Sequence, residues 1–430
     1  MTALARGLAS SFARAALPLC FALLSRRAAS AEEPKAIGEP VVMREPSEAL
    51  VVADAADEGD PFDISIGLAY EAQIARGVIA REGGDAVARF SRVTSRLIPT
   101  AEIGLYRDLA LTLGFPIVLS DTRDLTPARD ATSGSIDADG ETLVVLPMEA
   151  VERSGLEHMA FGIRAAPLNQ SRVAAFPTWL LALETRLAVG PVMRPCTRTP
   201  ADGQVACAKA GDVDRDGVRD PGEPDLAEAP TPGLARGTTG LYAATAIGRR
   251  VRYVEPYGVL DVLVEIPLSG SLFDEASMGQ TLLPPVRASA TLGLAVIPWE
   301  NREKFSRVNV DTRAVVHYRS SGLDYSEAFD AIGSSAAGAL RVLRDDGAVT
   351  GLTTVASYPS FAVDSSATWQ ASSFIKLALG VALRYDLPHA ITADDEGSPA
   401  YRAAISREGN RLEARDSFRV TIGARAAVSF

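Results

Sequence analysis

Apolar residues recur at every second position in many segments of this chain. The segment "FDISIGLAY" places apolar residues of positions 62–70 on one face, and "FIKLALGVALRY" does the same over positions 374–385. Successive side chains of a strand point to opposite faces, so this alternation predicts β-strands with one continuous apolar face. Each segment runs about ten residues or slightly more, the length that a tilted strand needs to cross a bilayer.

The same test applied to the whole chain predicts twelve strands. They lie near 62–76, 97–106, 109–120, 157–167, 173–189, 239–248, 257–269, 287–299, 306–319, 358–369, 374–386 and 417–430. Very short turns alternate with long polar loops, which occupy 121–156, 190–238, 320–357 and 387–416. This asymmetry is typical of transmembrane barrels, whose periplasmic turns are short and whose extracellular loops are long. We therefore predict an all-β fold, a transmembrane antiparallel β-barrel of about twelve strands over residues 61–430.

A soluble β-sandwich or β-helix is the alternative fold, because half-buried strands of soluble proteins also alternate. That alternative explains neither the difference between short turns and long loops nor the apolar face of the segment 417–430. Closing the sheet into a barrel also removes unpaired strand edges, which lipid does not tolerate. The pattern as a whole favours the membrane barrel.

The segment "TIGARAAVSF", residues 421–430, resembles the C-terminal signal by which bacterial outer-membrane barrels are recognised and inserted. Gly423, spaced apolar residues and Phe430 carry the resemblance. It implies outer-membrane lipid and the barrel assembly machinery as partners. The segment "TAEIGLYRDLALTLGFPIVLS", residues 100–120, is similar to hairpins in outer-membrane channels associated with phenol and aromatic catabolism. This second resemblance does not establish a substrate.

The first residues predict export. Arg6 and Arg14 precede an apolar stretch, "AALPLCFALLS", and small residues follow at 29–31, so residues 1–31 read as a secretory signal peptide. Residues 32–60 are rich in Glu, Ala, Asp and Pro without any period, which predicts a flexible periplasmic leader. Together with the barrel pattern, this places the chain in the outer membrane of a Gram-negative bacterium.

Charge narrows the possible partners. The net charge of −11 argues against nucleic acid and against anionic lipid as a ligand. Charged residues make up 23% of the chain and no apolar stretch reaches 18 residues, so a helical membrane bundle is excluded.

Alternation also assigns the side chains that face the barrel interior. The charged positions predicted to line the lumen include Arg164, Glu184, Arg186, Asp261, Asp311, Arg313, Lys376, Arg384, Arg419 and Arg425. Acidic and basic residues inside are nearly balanced in number. The charges either pair across a plugged lumen or line a narrow, water-filled channel, and a barrel of twelve strands permits both. Small residues at many inward positions favour a narrow channel for passive passage of small solutes. The alternative is a structural or surface-interaction barrel with a plugged lumen.

The loop 190–238 contains "DVDRDGVRDPGE", which resembles an EF-hand calcium loop position by position. Carboxylates at alternate positions can wrap a calcium ion, Gly217 permits the sharp turn, and Glu223 can bind in bidentate fashion. The predicted ligands are Asp212, Asp214, Asp216, the backbone carbonyl of Val218, Asp220 and Glu223. Without flanking amphipathic helices, the loop is more similar to thrombospondin-type-3 repeats, and an acidic solvated loop is the alternative. We expect a structural calcium ion in an extracellular loop.

Two cysteines remain after the signal peptide, Cys196 and Cys207. In an exported protein such a pair most simply forms one disulfide, here just before the calcium motif.

Catalysis is not expected from the sequence. Outer-membrane phospholipases with twelve strands resemble one another through a His-x-Ser-Asn-Gly segment, which this chain lacks. Its histidines are His158, His317 and His389, and none of them has that spacing to a serine.

Overall fold

The computed structural model of the protein describes residues 46–53, 55–57, 60–129, 134–149, 152–197, 232–277, 282–340 and 350–429. Twelve antiparallel strands form a closed barrel, as the alternation predicts. They are β1 (Ile64–Arg81), β2 (Ala86–Tyr106), β3 (Leu109–Gly114 and Ile117–Pro127), β4 (Arg153–Leu156 and Met159–Leu168), β5 (Thr178–Leu187), β6 (Thr238–Gly248), β7 (Val254–Pro267), β8 (Arg287–Asn301), β9 (Ser306–Arg319), β10 (Tyr358–Gln370), β11 (Ile375–Asp386) and β12 (Leu412–Ser429).

Each strand pairs with its neighbours in sequence, and β12 pairs with β1 to close the ring. β3 and β4 each consist of two segments. The break in β3 falls at Phe115 and Pro116, and proline cannot donate a backbone hydrogen bond to a neighbouring strand. Leu109–Gly114 pair with the periplasmic part of β2, and Ile117–Pro127 pair with its extracellular part.

The outer face of the barrel is apolar and exposed. Ile66, Leu379 and Ile422 expose 54%, 68% and 62% of their surfaces, and their neighbours in sequence point to the interior. This is the face that strand alternation assigns to lipid. Within the described residues, no helix is long and apolar enough to cross a membrane.

Five strands extend further at the extracellular end than the sequence predicts. β1 continues to Arg81 rather than 76, and β3 continues to Pro127 rather than 120. β2 begins at Ala86 rather than 97, β4 at Arg153 rather than 157, and β12 at Leu412 rather than 417. The reason is that the polarity of the alternation inverts at the extracellular end. There the inward residues, such as Ile79 and Phe90, are apolar and buried. A pattern of outward apolar residues therefore predicts strands that are too short at this end.

The apolar inner faces of these tall strands pack against the extracellular loops, which fold into a compact structure that we call the cap. One apolar cluster joins Ile79, Phe90 and Leu125 to loop residues such as Ile332. A second joins Phe273 and Phe329 with other loop residues.

Short elements build the cap and the segment before β1. Helices are α1 (Leu272–Ser277), α2 (Phe329–Gly333) and α3 (Ala403–Ser406), with a 3-10 turn at Gly338–Leu340. A second 3-10 turn, Arg302–Lys304, forms the short connection between β8 and β9 at the periplasmic end. Small strands lie at Ala55–Asp57, Asp60–Phe62, Ser135–Ala138, Glu141–Val145, Met148–Glu149, Gly322–Asp324, Thr353–Val355 and His389–Ala390. The cap therefore covers the extracellular end of the barrel with ordered structure.

Candidate functional site

The charged residues predicted to line the lumen all lie on the inner face of the barrel, on the side opposite the exposed apolar residues. They are Arg164, Glu184, Arg186, Asp261, Asp311, Arg313, Lys376, Arg384, Arg419 and Arg425. They fall into three groups: one in the periplasmic half of the lumen, one in the extracellular half, and one on the wall formed by β4, β5 and β7. We call this wall the paired wall.

On the wall formed by β4, β5 and β7, each charge has a partner of its own. Arg164 lies 3.1 Å from Glu102, and Arg186 lies 2.7 Å from Glu184. Asp261 accepts a hydrogen bond from Ser289. Each basic side chain on this wall therefore has an acidic partner of its own, and Asp261 is held by a hydroxyl group.

Residues 46–53, which we call the plug segment, lie inside the periplasmic half of the lumen. This differs from the flexible leader predicted over 32–60, whose residues before 46 lie outside the described residues. The backbone N–H of Ser47 donates to Glu255 at 2.7 Å, and that of Ala53 donates to Glu102 at 2.7 Å. These contacts reach strands on opposite sides of the ring, so the segment crosses the lumen.

Two of the predicted lumen residues hold the plug segment by charge. Glu48 lies 3.0 Å from Lys376 and also pairs with Arg425. Burial raises the pKa of Glu48, but the positive charges of Lys376 and Arg425 outweigh burial and lower it from 4.5 to about 2. The carboxylate is therefore ionised, and this ion pair links the segment to β11 and β12.

A small apolar cluster adds to these polar contacts. Leu50 is 1% exposed and packs with Val52 against small inward residues, Ala166 and Ala246 among them. The signal in the sequence was the short apolar run "ALVVA" inside an otherwise acidic and polar leader. Such a run is too short to show a period, so alternation could not find it.

Tyr257 and Asp311 lie next to the plug segment. The Tyr257 hydroxyl donates to both carboxylate oxygens of Asp311, at 2.9 and 2.8 Å, and Arg313 lies 3.7 Å from the same carboxylate. The tyrosine ring covers Gly293, where a Cβ atom would lie only 2.2 Å from the ring. Gly293 is therefore required for the position of Tyr257, because any side chain there would displace the ring.

In the extracellular half, Arg384 lies 2.7 Å from Asp386 and donates to Ser360 at 2.9 Å. Arg419 lies 3.9 Å from the same aspartate.

The extracellular half contains further inward charged residues that were not predicted from the sequence. The predicted strands either ended before these positions or included them without assigning them to the lumen. These residues are Arg92, Asp121, Arg123, Arg287 and Arg319.

The interior is not packed solid. The inward side chains of Arg313, Arg425 and Arg92 remain 37%, 39% and 39% exposed although they lie inside the ring. Side chains that fill a barrel core would be buried, as they are in small barrels. The exposed fraction therefore indicates water-accessible space between the plug segment and the cap.

The cap is held over this space by a buried ion pair as well as by its apolar clusters. Arg153 is 1% exposed and lies 2.5 Å from Asp330 of α2, and it also donates to the backbone oxygen of Arg194 at 3.0 Å. Breaking a buried pair of this kind leaves one charge without compensation, which is costly. The extracellular closure is therefore part of the folded structure.

The calcium motif, residues 212–223, and Cys207 lie outside the described residues. The calcium site and the Cys196–Cys207 disulfide therefore stay predictions. Cys196 is fully buried near the base of its loop. Among the residues that are described, no group of three or more His, Cys, Asp or Glu side chains could hold a metal ion.

Comparisons with known proteins concern the fold. No family model matches the chain, and no curated protein matches it. Among solved structures, it is similar to an outer membrane channel from Pseudomonas putida F1, with 13% identity, a TM-score of 0.40, and coverage of 87% of this chain and 100% of that one. It is also similar to a FadL homologue of Pseudomonas aeruginosa, with 10% identity, a TM-score of 0.32, and coverage of 85% and 90%. The assignment of the fold rests on the closed antiparallel ring of twelve strands itself.

The expectation that the protein is not an enzyme is corrected by the same comparison. The outer membrane protease OmpT from Escherichia coli is also similar in fold, with 10% identity, a TM-score of 0.27, and coverage of 86% of this chain and 96% of that one. Barrels of this kind include an enzyme as well as channels. The fold by itself does not separate the two.

Proposed function

We propose that the protein is a narrow outer-membrane channel for passive passage of small solutes. The observation that supports this proposal most is the partial exposure of inward charged side chains such as Arg313 and Arg425. Ionised groups keep such exposure where water reaches them, since burying them without water is expensive. A water-accessible lumen lined by charges suits small polar or charged solutes.

The channel is closed in this conformation, and we propose that the plug segment is the part that moves. Polar contacts to Glu255, Glu102 and the pair of Lys376 and Arg425 hold it, together with a few apolar side chains. None of its described residues belongs to a barrel strand, so the segment can leave the lumen without breaking the ring. Its departure would open the periplasmic end.

A structural or surface-interaction barrel with a plugged lumen is the alternative. The observation that favours it is the ordered cap, in which Phe329 and the salt bridge of Arg153 with Asp330 are buried. If the cap stays closed, function would reside in the loops.

Single-channel recording in planar bilayers decides between these functions. The folded mature protein is compared with a variant that lacks residues 46–53, and with a Glu48→Gln variant in which the ion pairs to Lys376 and Arg425 are weakened. A channel closed by the plug segment gives small or rare steps for the mature protein and larger or more frequent steps for both variants. Silence from all three proteins, each shown to be folded by its heat-dependent mobility in gel electrophoresis, would overturn the channel.

We also propose the setting predicted from the sequence: export by residues 1–31, insertion by the barrel assembly machinery, and residence in the outer membrane. Support comes from the exposed apolar outer face, where Leu379 is 68% exposed. In the loop 190–238 we propose a Cys196–Cys207 disulfide and a structural calcium ion bound by residues 212–223. Isothermal titration with calcium should give binding at roughly 10⁻⁴ to 10⁻³ M that a Glu223→Gln variant loses. Equal binding by both proteins would refute this site.

A further inference from the structure

Arginines face one another across neighbouring strands at three places in the extracellular half of the lumen. The facing pairs are Arg92 with Arg123, Arg384 with Arg419, and Arg287 with Arg319. Like charges directly opposite each other on a sheet are destabilising. Three such pairs at one level of a barrel therefore call for a reason other than stability. We call these six side chains the arginine arc.

Each pair shares one carboxylate. Asp121 lies 2.6 Å from Arg92 and 3.0 Å from Arg123.

The other two pairs follow the same rule. Asp386 lies 2.7 Å from Arg384 and 3.9 Å from Arg419. Asp324 pairs with Arg319 and lies 3.8 Å from Arg287. The arc thus differs from the paired wall, where each basic side chain has an acidic partner of its own.

Nearby acidic groups do not remove the excess of positive charge. Glu265 lies 2.8 Å from Arg236 as well as 3.0 Å from Arg287. Asp330 lies 2.5 Å from Arg153 as well as 3.9 Å from Arg123.

Two further acids border the arc from the cap and from the exposed face of β3, Glu327 and Asp124. Counted with the three shared carboxylates, Glu265 and Asp330, they make seven negative charges. Eight guanidinium groups face them, the six of the arc and those of Arg236 and Arg153. The arc therefore stays positive.

A cavity of about 60 Å³ lies against the arc, between the barrel wall and the cap. Arg92, Arg123 and Arg419 line it, together with Ser417 and Ser326. The Nε atom of Arg419 is buried and has no hydrogen-bond acceptor among the described residues, and the same holds for Nε of Arg319. Of these two side chains only Arg419 lines the cavity, and its donor without an acceptor is available to the oxygens of a ligand.

We infer that the arginine arc binds the oxyanionic group of a solute on its way through the lumen. This inference rests on the proposed channel function and names its substrate class: small solutes that carry a carboxylate, phosphate or sulfonate. Guanidinium groups match these planar or tetrahedral oxyanions with two parallel hydrogen bonds. The shared aspartates hold the facing arginines in the folded barrel, and the excess of positive charge that remains is available to the ligand.

Ion selectivity tests the inference in the channel. The reversal potential under a salt gradient should show preference for anions in the wild-type protein. Arg92→Gln and Arg419→Gln should each lower the ratio of anion to cation permeability by roughly twofold per charge. Glu327→Gln should raise this ratio, because it removes a negative charge that borders the cavity. A cation preference, or a ratio unchanged in all three variants, would overturn the inference while the channel stands.

Two control variants separate charge from structure. Arg419→Lys keeps the charge and should keep the anion preference if the residue acts through electrostatics. Arg186→Gln changes the paired wall, where Glu184 lies 2.7 Å from Arg186, and should change the ratio less than Arg419→Gln does. An equal effect at both arginines would argue against a special role for the arc. Should Arg419→Gln fail to fold, Arg92→Gln carries the test, since its side chain is 39% exposed.

Binding measured without conductance keeps the inference distinct from the channel function. Isothermal titration of the detergent-solubilised protein uses inorganic phosphate and, separately, benzoate at constant ionic strength. Saturable binding of either probe that weakens in Arg92→Gln and Arg419→Gln supports the arc even if no channel forms. Absence of binding to both probes, together with no anion preference, refutes the arc. Preference for one probe distinguishes a free phosphate from an organic carboxylate.

Discussion

The two ends of the lumen are closed in different ways. At the extracellular end, the cap contributes apolar clusters in which Phe329 and Leu340 are fully buried, and its helix α2 carries the buried partner of Arg153. At the periplasmic end, eight residues of the plug segment are held by a few hydrogen bonds, the pairs of Glu48 and one small apolar cluster.

The strength of its contacts determines which of the two closures can open. Apolar burial on the scale of the cap makes it part of the fold, because each large buried side chain contributes on the order of 1.5–3 kcal/mol. A short segment with few anchors has a much smaller free energy of docking, and segments of low local stability are the ones that move. The periplasmic closure is therefore the detachable one.

The largest effect is expected in the cap. Phe329→Ala should destabilise the cap by about 4 kcal/mol, because Phe329 is fully buried and its removal leaves a cavity. Limited proteolysis of the protein in vesicles should then cut the extracellular loops while the barrel stays heat-modifiable. Phe374→Ala is the matched control, since Phe374 is 54% exposed. Equal protease resistance of F329A and wild type would mean that the cap is not an independent folded unit.

The next effect is expected in the plug segment. Leu50→Ala should weaken docking by about 3 kcal/mol, since Leu50 is 1% exposed and its neighbours are small. Hydrogen–deuterium exchange of residues 46–53 should accelerate, with exchange in the barrel strands unchanged. Val51→Ala serves as the control because Val51 is only half-buried. Acceleration in both variants to the same degree would show that side-chain burial does not hold the segment.

Acidification should release the plug segment. The pKa of Glu48 is lowered in the folded protein from 4.5 to about 2, so its contribution to docking is complete above pH 4.5 and is lost as pH falls towards 2. Exchange of residues 46–53 measured across this range should rise as pH falls, after correction for the intrinsic rate. Glu48→Gln should abolish this pH dependence. A dependence that persists in E48Q would assign the effect to another group.

The smallest effect is expected on the paired wall. Glu184→Gln removes the partner of Arg186, but both side chains are partly exposed, at 26% and 32%, so the cost should stay below about 1 kcal/mol. Urea unfolding in lipid vesicles measures this change. A cost of about 3 kcal/mol or more would indicate a dry lumen and would weaken the channel proposal.

Much of the barrel could be predicted from the sequence, and the reason is the period of two. Strand alternation is local, so it located all twelve strands and placed residues such as Arg164 and Arg425 on one face. Where lipid no longer selects the outward residues, the rule inverts, and Ile79 and Phe90 were missed as inward apolar positions.

The docking of the plug segment and the arginine arc could not be predicted from local sequence patterns. Docking of Glu48 depends on Lys376 and Arg425, which are far away in sequence. The facing arginines depend on strand register, and a shift of one residue would reverse every side chain. The sequence predicts a near balance of charge in the lumen as a whole. The structure shows that each arginine of the paired wall has its own acidic partner, whereas facing arginines of the arc share one.

The plug segment also bears on the order of assembly. Its anchors come from β2, β7, β9, β11 and β12, and Glu48 reaches Arg425 across 377 positions of the chain. Long-range contacts of this kind form late, since the chain must first meet the entropic cost of bringing distant strands together. The segment can settle only after the first and last strands have met, so its docking marks the completion of the barrel.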